Sequence, residues 1–166
     1  MRLFPADKFY MQTAIAQARL AYQEDEAPVG AVVVLKDKII VKAYNQVERL
    51  SDPTAHAEIL AVTGAAAFLR SKWLQDCVLY VTVEPCSMCA GALVLARIGR
   101  VVFGAVDPKT GAFGSKMNIN DLKLNHKIKY KGGIMADECS QLMSDFFRKK
   151  REEKKTQTTA IRRTVN

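Results

Sequence analysis

Four side chains in two short segments have the types and spacing of a hydrolytic metal centre: His56 and Glu58 in His56-Ala57-Glu58, and Cys86 and Cys89 in Pro85-Cys86-Ser87-Met88-Cys89. One imidazole and two thiols make three zinc ligands. Three is the count of a catalytic site, because a structural zinc closes its tetrahedron with four protein ligands. The open corner takes water, which needs a base beside it, and Glu58 is the candidate. Taken alone, Cys-x-x-Cys also suits a redox dithiol or two small buried hydrophobes, and a lone histidine is commonly a core or surface residue. The combination, with proline ahead of the first cysteine, selects the metal reading. Cys77 and Cys139 lie in apolar segments and are expected to be reduced core residues.

Two helix starts must bring these groups together. Val78 to Glu84 reads as a buried strand and Ala90 to Ile98 as the helix after it, so Cys86 and Cys89 fall at that helix's start, three residues apart on one face. Free N–H groups at a helix N-terminus favour anions and help to ionise both thiols. Pro85 suits a first turn, where its missing N–H costs nothing. A second helix is expected from Asp52-Pro53, with Asp52 as cap, through Leu69, which puts His56 in its opening turns. On an ideal helix Glu58 would then sit about 200° round from His56. That spacing argues that Glu58 is not a second ligand.

The remaining elements frame a single α/β domain. Met11, Ile15, Ala18 and Tyr22 predict an amphipathic helix from Asp7, as its cap, to about Glu24. Ala31 to Leu35 and Ile39 to Tyr44 are β-branched runs joined as a hairpin by Lys36-Asp37-Lys38. Arg100 to Ala105 reads as a fourth strand and Lys127 to Lys131 as a weaker fifth, parallel to the fourth because the connection is long enough for a crossover. Cys139, Leu142, Met143, Phe146 and Phe147 place a final amphipathic helix over Ala136 to about Glu153. The alternation predicts a three-layer α/β/α sandwich around a central five-stranded mixed sheet.

Composition narrows the setting. The chain has 166 residues, 49% of them hydrophobic, enough for one compact core. Residues 1–155 are expected to form that domain, and 156–166 a basic, disordered tail. Four cysteines, no long apolar stretch and no signal-like start point to a reducing compartment, the cytoplasm by default, with no membrane association. Of the net charge of +8, +6 lies in residues 148–166, where eight Lys or Arg face two Glu. Such an end attracts a polyanion through counterion release, or is simply a solvated helix end.

The order His-x-Glu followed by Pro-Cys-x-x-Cys is the signature of zinc-dependent nucleobase deaminases. From about Glu26 to Lys154 the chain resembles the bacterial tRNA-specific adenosine deaminases. The resemblance extends to Pro28-Val29-Gly30-Ala31, Tyr44-Asn45, Asp52 to Glu58, Glu84 to Ala92, Arg97 to Gly104, Asp107 to Ala112 and Asp145-Phe146-Phe147-Arg148. It implies a cytidine deaminase-like fold and conversion of the wobble adenosine of a tRNA anticodon to inosine. It also implies zinc on His56, Cys86 and Cys89, with Glu58 as proton shuttle. The Ala57 backbone and the Asn45 side chain would read the flipped base, and Pro28 and Val29 would line its pocket. Asp107, Phe147, Arg148 and Arg151 would face the anticodon stem-loop, and the protein would act as a homodimer.

Overall fold

The computed structural model describes residues 5–164, with side chains for 6–158. A five-stranded sheet in the order β2-β1-β3-β4-β5 is built from β1 (Gly30–Leu35), β2 (Lys38–Tyr44), β3 (Cys77–Val83), β4 (Arg100–Ala105) and β5 (Lys129–Lys131). β1 pairs antiparallel with β2 and β3, whereas β3, β4 and β5 run parallel. The sheet is therefore mixed, as the sequence predicts. β5 is shorter than the five residues expected but has the predicted direction.

Alternation on the central strands sorts the core into two layers, since successive side chains point to opposite faces. Val32 and Val34, with Tyr80 and Val102, pack under α1 (Pro5–Gln23), where Met11, Ala14 and Ile15 are buried. Ala31, Val33, Leu79, Val81 and Val101 pack on the other face against α3 (Ala57–Leu69) and α4 (Ser87–Leu95). Covered on both sides, β1, β3 and β4 read as continuous apolar runs. The last helix, α5 (Ala136–Thr164), packs beside α1 and against β3 and β4. At the start of β1 a Cβ on Gly30 would lie 2.0 Å from the Ala14 carbonyl oxygen, so only glycine lets α1 come this close. Lys36 and Asp37, both with φ positive at 48° and 62°, form the tight turn between β1 and β2.

Four local expectations change. Asp7 does not cap α1: it lies in the first turn and turns inward, accepting from the Tyr80 hydroxyl at 2.8 Å and from Arg100 at 3.0 Å. The helix expected from Asp52 starts instead at Ala57, after a separate turn of helix α2 (Val47–Leu50). The Asp52 carboxylate closes its own turn, accepting from the Thr54 N–H at 2.8 Å and the Thr54 hydroxyl at 2.7 Å, so it is unavailable to a helix. The cysteine helix covers Ser87–Leu95 rather than Ala90 to Ile98. Finally, α5 does not stop near Glu153. It runs to Thr164 through most of the segment expected to be disordered; residues 165 and 166 lie outside the described residues. No Gly or Pro interrupts that stretch, and Lys, Gln, Ala and Arg sustain a helix.

Candidate active site

The two segments expected to hold a metal each supply a helix N-cap position. His56 (φ −69°, ψ 151°) is the N-cap of α3 and Cys86 (φ −73°, ψ 174°) the N-cap of α4, each in extended backbone, with Cys89 in the first turn that follows. This removes the conflict posed by an ideal helix through His56, because the extended backbone lets His56 and Glu58 line one cavity. His56 Nδ1 is 3.5 Å from Cys89 Sγ and 3.8 Å from Cys86 Sγ. All three donor atoms lie within 4.8 Å of one another. In a tetrahedral zinc site with bonds of about 2.3 Å to sulfur and about 2.0 Å to nitrogen, N···S edges come to about 3.5 Å. The three side chains fit such an ion, with two soft thiols and one imidazole as its donor set.

Electrostatics follow from the crowding. A hydrogen bond from the Cys89 thiol, with another from His56, holds the Cys86 thiol down at about 4, whereas donating that bond and being buried push Cys89 far up. The same contact with Cys86 raises the His56 imidazole. The pair thus shares one negative charge, and a cation bound there displaces the proton on Cys89. Glu58 is 4% exposed, and burial lifts its carboxyl to about 7. A carboxyl poised near neutrality can both take and give a proton.

Above these groups opens a cavity of about 870 Å³. Its floor is His56, Glu58, Cys86 and Val83; Val29 and Asn45 form one wall, Asp107 and Thr110 another, and Phe146, Phe147, Lys150 and Lys154 of α5 a third. The Asp107 wall is tied to the metal segment by Glu84, a buried carboxylate just ahead of Pro85-Cys86. Glu84 accepts the N–H groups of Phe113 at 2.9 Å, Asp107 at 3.0 Å and Ser115 at 3.1 Å, together with the Ser115 hydroxyl. The loop also bonds Pro85 directly, from the Ala112 N–H at 2.9 Å. At Gly111 a Cβ would stand 2.4 Å from the Glu84 carboxyl carbon, so this contact needs glycine. Asp107 itself accepts from the Lys109 N–H and the Thr110 hydroxyl, which with its N–H from Thr110 pull its carboxyl below the usual range against the opposing effect of burial.

Of the residues singled out from the sequence, Val29, Asn45, His56, Glu58, Cys86, Asp107 and Phe147 line the cavity. Cys89 and Ala57 are fully buried and do not line it, and Pro28 is buried next to Val29 in the chain. Arg148 and Arg151 are not brought to it; Arg148 pairs with Asp145 at 2.7 Å on the outer surface. Lys150 and Lys154 take that place. Helical periodicity holds the signal: Met143, Phe147, Lys150 and Lys154 step along one stripe, and Arg148 lies about 100° round from Phe147. Glu26 and Arg49, which also line the cavity, carry no spacing signal of their own.

The model of the MafB19-like deaminase family matches residues 6–151. A tRNA-specific adenosine deaminase of Aquifex aeolicus is 47% identical over 145 residues, covering 87% of this chain and 95% of that protein. The Haemophilus influenzae protein of the same name is 46% identical over 158 residues, covering 94% and 91%. The chain belongs to the tRNA-specific adenosine deaminases. A solved structure from a study of A-to-I editing by tRNA:A34 deaminases superposes on this deaminase with TM-score 0.75 at 37% identity, covering 81% of this chain and 98% of the other. A guanine deaminase from Bacillus subtilis shares the fold at TM-score 0.60 and 30% identity, over 79% of this chain and 85% of its own. The chain is thus a hydrolytic deaminase of cytidine deaminase-like fold, with a three-donor cluster suited to a metal ion.

Proposed function

We propose that this deaminase converts adenosine 34, the wobble residue of a tRNA anticodon, to inosine with release of ammonia, using one zinc ion per subunit held by His56, Cys86 and Cys89. The observation that carries the reading is the buried Glu58 beside a cluster of three donors, in a cavity with more than enough room for a nucleoside. Zinc bound there would supply a Lewis acid that makes water nucleophilic at neutral pH. Glu58 takes a proton from the attacking water and passes it to the purine ring nitrogen. Glu58 then takes the hydroxyl proton of the adduct and gives it to the exocyclic amine; the C–N bond breaks and the amine leaves as ammonia, so water and adenosine yield inosine and ammonia in balance. Asn45 and the Ala57 backbone contact the flipped base, and Pro28 and Val29 shape its pocket. Asp107, Phe147, Arg148 and Arg151 meet the anticodon loop, with Lys150 and Lys154 nearer the cavity.

A cytoplasmic homodimer whose two subunits both touch the RNA completes the proposal. Phe68 of α3 and Leu95 of α4, 63% and 80% exposed, support an apolar contact on that layer. No helix among the described residues is long and apolar enough to cross a membrane. The rival is deamination of a free base on the same fold, as in the guanine deaminases. Relatives named for tRNA at 39–47% identity weigh against it. The test is ammonia release and inosine formation on an anticodon stem-loop alongside adenosine, guanine and cytidine. Activity on the stem-loop alone is expected; activity on a free base alone overturns the reading.

A further inference from the structure

Resting on that reading, we propose that Glu26 is a positioning residue for substrate recognition: its buried carboxylate fixes the Asn45 amide so that Oδ1 faces the cavity. Glu26 is 1% exposed and takes no part in the chemistry above. Its Oε1 accepts the Arg49 N–H at 2.6 Å, and its Oε2 accepts the Glu48 N–H at 3.2 Å and Asn45 Nδ2 at 3.1 Å. An amide can turn end for end at little steric cost, because its oxygen and nitrogen occupy nearly the same volume. Opposite a carboxylate whose two oxygens already accept backbone N–H groups, only the nitrogen end is tolerated.

The other end of Asn45 is thereby decided. Oδ1 receives no hydrogen bond within the described residues, and none of their buried side-chain oxygens is left unpartnered, so it opens on the cavity that Asn45 lines. An acceptor held there selects a nucleoside presenting an N–H or O–H, and disfavours one presenting a lone pair. The same carboxylate also fastens α2 to the loop ahead of β1, beside the wall that Val29 and Asn45 form.

The experiment is a double-mutant cycle of E26Q, N45A and the E26Q/N45A pair, measuring kcat and KM on an anticodon stem-loop, with zinc content and melting temperature alongside. A residue acting through Asn45 has no effect left once Asn45 is gone. E26Q should lower kcat/KM by about ten- to a hundredfold at unchanged zinc content, and most of that loss should be absent in the N45A background, leaving only the smaller part due to the Glu48 and Arg49 N–H groups. The cycle is run in parallel with E26D, which keeps both oxygens one methylene further back and should show the same non-additivity if E26Q folds poorly. Losses that multiply contradict the proposal, as does an N45A variant with wild-type kcat/KM. A wild-type protein inactive on the stem-loop contradicts instead the function proposed above.

Discussion

His56 Nδ1 stands 3.5 Å from Cys89 Sγ although 33 residues separate them, because each belongs to a helix that begins at the same end of the sheet. H56A should therefore lose the metal, not merely activity. Two thiols remain, and a two-ligand site binds orders of magnitude more weakly than three. Metal analysis of purified protein should show near-stoichiometric zinc in the wild type and little in the variant. Chelation of the wild type should lower its melting temperature, since a ligand bound only by the folded state stabilises it.

Metal-free protein should show a pH signature of Glu58. Its folded carboxyl titrates at about 7, against about 4.3 in an unfolded chain. Between those values the folded state keeps a proton that the unfolded state has released. The group's contribution is thus fully present below about pH 4 and lost as pH rises through 7, on the order of 3 kcal/mol. Urea unfolding of chelator-treated protein at pH 5 and pH 8 should show this fall in the wild type. In E58Q the difference between the two pH values should shrink by about that amount; an equal fall in both proteins contradicts it.

The Asp107 wall should depend on Glu84. In E84Q one oxygen becomes a donor facing backbone N–H groups, leaving buried donors unpaired at a cost of about 1–3 kcal/mol. G111A pushes a methyl into the same carboxyl and should cost a similar amount by overpacking. Thermal unfolding checks both, and each variant should lose kcat/KM on the stem-loop while retaining zinc.

The cations of α5 are partly neutralised from within. Asp25 pairs with Lys150 and, at 3.6 Å, with Lys149, and the hydrogen bond from Lys150 holds its carboxyl below the usual range. Removing that competitor in D25A should tighten stem-loop binding severalfold at low salt. The K150A/K154A pair should weaken it and reduce the slope of log K against log salt by up to about 1.4, at about 0.7 for each phosphate left without its lysine. A slope unchanged in K150A/K154A returns this face to ordinary solvated charge.

Much of the architecture is legible in the sequence because it rests on periodicity: the β-branched strands, the Lys36-Asp37 turn and the parallel fifth strand all stand where their patterns put them. The clustering of His56, Cys86 and Cys89 is legible because few chemistries need that donor set. The start of α3 is not, because Asp52-Pro53 offers a cap and a first helical residue on paper, while Thr54 offers the Asp52 carboxylate a nearer partner. Nor is Glu26, whose importance comes from burial against Asn45, 19 residues away. At the end of α5 the density of charge suggests disorder, but the same residues are good helix formers, and that propensity prevails.

Glu58 is proposed to move protons beside a metal that three other residues hold. E58Q, assayed together for zinc content, stem-loop affinity and inosine formation, tests it most directly. Near-wild-type zinc and affinity are expected, with deamination slowed by about a hundred- to ten-thousandfold. Loss of zinc would make Glu58 a ligand, and appreciable inosine formation at full zinc would remove it from the chemistry; either result overturns this role for Glu58.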